Sequence, residues 1–153
     1  MLSKLPIKAT LLTLTTATIF SGSALLTPKA AFAGVASIGQ QLIDVAIAAG
    51  LMNRTPTHEP HIGTLRAGRS HVVNINLRSG VTYNLISVCD EYCTDVDIKL
   101  YDENSNLVDS DIRSNDIAIV SVTPRWSGEF YVKVDLVNCS ANYCYYGVGV
   151  FGQ

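Results

Sequence analysis

The chain is 153 residues long, 48% hydrophobic and 16% charged, with 11 basic and 13 acidic side chains for a formal net charge of −2. Once a leader is set aside, that length gives one domain of ordinary size and no room for two. The acidic balance argues against nucleic acid as a partner.

Residues 1–33 read as a secretory signal peptide. Lys4 and Lys8 supply its positive start, residues 9–20 an apolar core diluted by threonine, and Ala31-Phe32-Ala33 the small residues that signal peptidase requires, so cleavage is expected before Gly34. The core falls short of the ~20 apolar residues of a membrane span. No later segment is apolar enough, so the mature form is expected to lack a span and to reside in the periplasm or the medium. Losing Lys4, Lys8 and Lys29 leaves 8 basic against 13 acidic side chains, a net charge of −5.

Residues 34–61 form a lead-in to the main domain. Within it, 37–52 (SIGQQLIDVAIAAGLM) spaces Ile38, Leu42, Val45, Ala46, Ala49 and Met52 at helical intervals, with Ser37 available as N-cap. Its polar face is thin (Gln40, Gln41, Asp44), so the helix is expected to cover a sheet; without Lys or Arg, that face suits a membrane surface less well. Pro56 and Pro60 then make 53–62 an extended linker, in which His58 and His61 read as solvated. The HEPH run is not the HExxH zinc motif, whose histidines lie four apart on one helix.

From Gly63 onward the apolar period becomes two, with turn residues roughly every ten positions, as in an all-β sandwich or barrel. The predicted strands are 71–77, 81–89, 95–101, 107–109, 117–123, 129–137 and 143–151. In 81–89, Tyr83, Leu85 and Ser87 share one face. In 95–101 (DVDIKLY), Val96, Ile98 and Leu100 point in while Asp95, Asp97, Lys99 and Tyr101 point out. Lys99 can therefore pair with Asp97 on that outer face. Gly147 and Gly149 break the last strand and signal a bend or a close backbone approach.

Four cysteines stand as Cys89-x3-Cys93 and Cys139-x4-Cys144. Export favours disulfides, and the local pairings Cys89 with Cys93 and Cys139 with Cys144 each bracket a turn that follows a strand. A zinc site built from both pairs is the rival.

Between Asp90 and Asp116 lie nine acids and two bases. Carboxylates clustered on loops suit calcium, with Asp90, Asp95, Asp97 and Asp109 as candidate ligands; the alternative is a solvated acidic edge that keeps the domain soluble and blunts strand pairing. Exposed aromatics offer a second surface, for which Tyr92, Tyr143 and Trp126 are the candidates. If both cysteine loops share one end of the fold, Tyr92 and Tyr143 belong to a rigid aromatic and acidic tip. For catalysis the chain offers no GxSxG elbow and no CxxC, and acid pairs are too many to mark a glycosidase.

The runs Gly63-Thr64-Leu65, Gly80-Val81-Thr82-Tyr83, residues 95–102 (DVDIKLYD), Asn106 and residues 127–134 (SGEFYVKV) resemble, in that order, the motifs of the bacterial pre-peptidase C-terminal domain. The resemblance spans about 62–152. It implies a jelly-roll-like antiparallel β-sandwich of about seven or eight strands over 62–153, an accessory of secreted enzymes without catalysis of its own. This chain departs from the pattern at Ser105, where glycine is usual, and in its paired cysteines. The function expected is a secreted, non-catalytic module recognising an extracellular or periplasmic protein or polysaccharide; the alternative is a structural or protective envelope protein without a discrete ligand.

Overall fold

The computed structural model describes residues 29–51 and 55–153, with side chains from 33 onward. Residues 1–28, which hold the start and apolar core of the expected leader, lie outside the described residues, as does Met52 at the expected end of the helix. Among the described residues one helix, α1 (Lys29–Ala48), precedes nine strands: β1 (Thr55–Pro56), β2 (His61–Leu65), β3 (Arg69–Leu77), β4 (Tyr83–Cys89), β5 (Cys93–Tyr101), β6 (Leu107–Asp111), β7 (Ile117–Val122), β8 (Gly128–Cys139) and β9 (Cys144–Gly152).

The strands form two antiparallel sheets. One has the order β1-β9-β4-β7 with β2 also on β9, and the other the order β3-β8-β5-β6. Strands therefore pair as β2 with β9, β3 with β8, β4 with β7 and β5 with β6. That is one long hairpin rolled over on itself, the jelly roll. The core lies between the sheets, where the inward series of β5 (Val96, Ile98, Leu100) meets Leu85 of β4, Phe130, Val132 and Val134 of β8, and Val148 of β9.

Helix α1 gives the sandwich a third layer. Ile38, Leu42 and Ala46 bury against Ile86 and Val88 of β4 and Phe151 of β9, on the outer side of the first sheet. β4 thus buries apolar side chains on both faces, Tyr83 and Leu85 between the sheets and Ile86 and Val88 under the helix. Gly147 and Gly149 are the close approach their positions foretold: a Cβ on Gly147 would stand 2.5 Å from Ile38 Cγ2, and one on Gly149 3.4 Å from Leu42 Cδ2.

The helix differs in extent from the expected 37–52. It starts eight residues earlier because KAAFAGVA is alanine-rich and alanine is the best helix former, so Ser37 lies within it and the bond between Ala33 and Gly34 is helical. It stops earlier because Gly50, at φ 76°, forms a Schellman cap, its amide donating to Ile47 and the Leu51 amide to Ala46. Leu51 turns back into the same apolar cluster. The predicted linker is also more ordered than expected: Thr55 and Pro56 pair with β9, an edge position where proline's missing N–H costs nothing, and His61 opens β2.

Candidate functional site

Both cysteine loops lie at the same end of the sandwich. Cys89 is bonded to Cys93 between β4 and β5, and Cys139 to Cys144 between β8 and β9. Cys93 stands opposite Cys139, so the loops are neighbours. Asp90 ties them together: one carboxylate oxygen accepts from the Tyr92 amide at 3.2 Å and the other from the Tyr145 amide at 2.7 Å. The Ser140 amide and hydroxyl both donate to the Tyr92 carbonyl, and the Gln41 side chain donates to the Cys89 carbonyl from α1.

Between these loops and the first half of α1 opens a cleft of about 870 Å³, lined by Gly34, Ser37 and Gln41 of the helix, Asp90, Glu91 and Tyr92 of the first loop, Asn142 and Tyr143 of the second, and Asp116 and Tyr145 beside them. Tyr92 and Tyr143 are 53% and 56% exposed. The tip expected from the cysteine loops is therefore present, with two free aromatic faces, Glu91 and Asp116 on a frame closed by covalent and hydrogen bonds.

Trp126 is not part of it. It sits in the turn before β8, at the far end of that strand from Cys139, where its indole N–H donates to Glu103 at 2.8 Å and its ring stacks on Phe130. A second cleft of about 690 Å³ opens near that end, between Thr57, His58, Asn76, Tyr83 and Gly152.

The acidic stretch proves to be largely structural. Asp102 accepts from the amides of Asn104 and Asn106 and from the Asn106 side chain, which holds its carboxyl below the usual range. Asp109 and Asp111 of β6 accept from the amides of Ser121 and Ile119 on β7, closing one open edge between the sheets. The Arg113 guanidinium grips Asp111 with two bonds and brings its pKa down to about 2, against the opposing effect of burial. Of the four aspartates considered for calcium, Asp90 and Asp109 thus have both oxygens engaged by amides. Asp95, on a bulge of β5, has a buried oxygen with no partner, and its neighbour Asp97 is pushed up by burial and then by Asp95. Among the described residues no three His, Cys, Asp or Glu side chains gather to hold a metal.

Lys99 does not bond Asp97, two residues before it. It reaches diagonally across to Asp135 of β8 at 2.6 Å, because the register sets Asp97 opposite Asp135 and Lys99 opposite Lys133, and like charges relax along the diagonals. Burial pushes Asp135 up, but Lys99, Ser70 and Lys133 outweigh it and hold the pKa at about 2.

One group escaped the sequence reading. His61 at the start of β2, His71 in β3 and Tyr146 in β9 bring ring nitrogens and a phenol together: His61 Nε2 lies 3.1 Å from both His71 Nδ1 and Tyr146 Oη, and the last two are also in contact. Burial, followed by the charge of His71, lowers the His61 pKa, and burial raises that of Tyr146 to about 12. The signal available in sequence was that His71, Val73, Ile75 and Leu77 form one strand face, with histidine where the pattern asks for an apolar residue. By contrast His58, in contact with Thr57 and the Asn76 carbonyl, stays apart from the group.

No family model matches the chain, and no curated protein matches it. Among solved structures it is similar to the Aeromonas hydrophila PliG, a periplasmic lysozyme inhibitor of g-type lysozyme, at 8% identity and a TM-score of 0.47, covering 62% of this chain and 85% of that one. It is also similar to the pre-peptidase C-terminal domain of a collagenase from Bacillus anthracis, at 20% identity and a TM-score of 0.47, covering 60% of this chain and 87% of that one.

Proposed function

We propose that the chain is an exported, non-catalytic binding module of the pre-peptidase C-terminal type, and that the cleft at its disulfide tip receives a basic segment of a periplasmic or extracellular protein. The observation that carries this reading is the pairing of Tyr92 and Tyr143, both exposed, on adjacent loops each closed by a disulfide and flanking Glu91 and Asp116. Exposed tyrosine offers a large contact area at small entropic cost, and loops already fixed lose little freedom on binding. Carboxylates at the rim favour a cationic partner and raise its rate of encounter. The jelly-roll strand order agrees with the motif resemblance. Export agrees with two disulfides and no free cysteine among the described residues. A non-catalytic role is supported at the cleft by Asp90, whose carboxylate is spent on two amides.

The test is capture on the immobilised, oxidised protein of basic proteins and of polysaccharides taken from the compartment to which it is exported. Saturable binding of a protein, weakened by salt and lost in the Tyr92→Ala, Tyr143→Ala double variant with its melt unchanged, is expected. Binding that survives the double variant places the site elsewhere. A polysaccharide held by the same tyrosines and indifferent to salt identifies a sugar site, and no saturable ligand in either set favours the structural envelope reading.

A further inference from the structure

We propose that His61 and His71, with the phenol of Tyr146 behind them, form a site for a borderline divalent ion of the zinc and copper class at the open edge of the sandwich. β2 and β3 follow one another in the chain yet lie at the edges of different sheets, β2 on β9 and β3 on β8. His61 stands opposite Val148 and His71 opposite Val134, and both valines belong to the core between the sheets. Residues directly opposite in a ladder share a face, so both imidazoles point into the gap between the two sheets.

Tyr146 reaches the same gap because Gly63 stands opposite it: a Cβ there would lie 3.1 Å from the phenol oxygen. Three side chains from three strands thus bring three polar atoms to one point. Their proton inventory is short. The phenol carries one hydrogen, and an imidazole nitrogen that keeps its lone pair in the gap needs a donor of its own. When both imidazoles turn lone pairs into the gap, one phenolic proton cannot fill the contacts among two nitrogens and an oxygen, whereas a tautomer that turns an N–H inward can. A cation satisfies all three lone pairs at once. Ligands at the ~2.0–2.1 Å of zinc–nitrogen bonds in a tetrahedron stand about 3.3 Å apart, close to the 3.1 Å that separates His61 Nε2 from His71 and from Tyr146, while the tighter contact between His71 and Tyr146 has to open for an ion to sit between them.

Imidazole suits zinc and copper better than calcium or magnesium, whose ligands are oxygens. His71 is exposed and His61 half-buried, so an ion has a path from solvent and water can complete its shell. Bound there, it joins β2 to β3 and so one sheet to the other across the edge opposite to the one that Asp109 and Asp111 close.

Titrating the oxidised full chain with Zn²⁺ by calorimetry, and with Cu²⁺ by electron paramagnetic resonance, tests the site. One equivalent is expected, with nitrogen hyperfine structure from two imidazoles on copper and a raised melting temperature on zinc. His61→Gln and His71→Gln should each weaken binding about tenfold or more, Tyr146→Phe by less, and His58→Gln should change nothing. The copper spectrum of the unaltered chain reads the ligands without any variant, and His71→Gln alters an exposed side chain, so a variant that fails to fold does not hide the answer. No binding at micromolar metal, oxygen-only coordination, or an affinity unmoved by His71→Gln overturns the proposal.

Discussion

Replacing Gly147 by alanine tests whether α1 is fitted to the first sheet or merely laid over it. The added methyl would begin 2.5 Å from Ile38 Cγ2 and 3.1 Å from Leu42 Cδ1, both on the buried side of the helix. An ordinary contact between methyl carbons is 3.5–4.0 Å, so Ile38 has to move by about 1 Å. Overpacking of that kind costs about 1–3 kcal/mol, and removing a glycine from a strand returns roughly 0.5–1 kcal/mol. The net loss expected for Gly147→Ala is therefore about 0–2.5 kcal/mol, centred near 1 kcal/mol. Ile38→Ala alone, at a side chain 1% exposed, should cost about 2–5 kcal/mol through the space it leaves. In the double variant the new methyl enters that space, so its loss should fall short of the sum of the two by about 1–2 kcal/mol. Urea unfolding followed by circular dichroism measures all three. Strictly additive losses would show that the helix does not need the glycine.

Acid should destabilise the fold in a defined window. The folded pKa values of Asp111 and Asp135 are about 2, below the ~3.9 of an unfolded aspartate, so their contribution is complete above pH ~4 and is lost as the pH falls toward 2. Each is worth about 2 kcal/mol by linkage, and melts of Asp111→Asn between pH 5 and 2 should be flatter than those of the parent. Ser105 holds φ 64° without being glycine; Ser105→Gly relieves that strain and should raise stability by about 0.5–1 kcal/mol, read as a higher melting temperature. The calcium expectation now rests on Asp95 and Asp97: a melting temperature higher in calcium than in chelator, and lost in Asp95→Asn, would establish it, whereas superposed melts would leave the pair as half-buried carboxylates that bind no calcium. Amino-terminal sequencing of the exported protein checks the cut before Gly34, which would spare Ile38, Leu42 and Ala46 of the docked helix face.

Where one strand face met one environment, its role was legible in the chain. The alternation of 95–101 and 129–137 returned as β5 and β8, the paired cysteines returned as two local disulfides, and the glycines of β9 marked the helix contact. What escaped depended on distant partners. The run LIS in β4 is apolar on both sides of the sheet because a helix some forty residues earlier covers the far side, a fact its own period does not contain. The histidine group joins positions 61, 71 and 146, which only the strand register brings together. The carboxylates of 90–111 read as an ion cage, yet half of them, Asp90, Asp102, Asp109 and Asp111, accept from particular backbone amides, and composition does not distinguish an acid that meets an amide from one that meets water. The exposure of Tyr92, Tyr143 and Trp126 was legible because each sits in a loop or turn; that Trp126 lies at the other end of the sandwich, bonded to Glu103 of another turn, was not.

The rolled hairpin also orders the events of folding. β1 and β2 lie near the opposite end of the sandwich sequence from β9, Thr55 opposite Gly152 and His61 opposite Val148, so these ladders close the longest loops between the strands and should be among the last to form. The cysteines of each bridge are only 4 and 5 residues apart, so they meet by local motion alone. Oxidation can therefore run ahead of the sheets. That order matters because the finished register sets Cys93 directly opposite Cys139, a tempting wrong partner. Bridges made early leave neither sulfur free when the strands arrive, and the tip closes in the one pairing that keeps its loops separate.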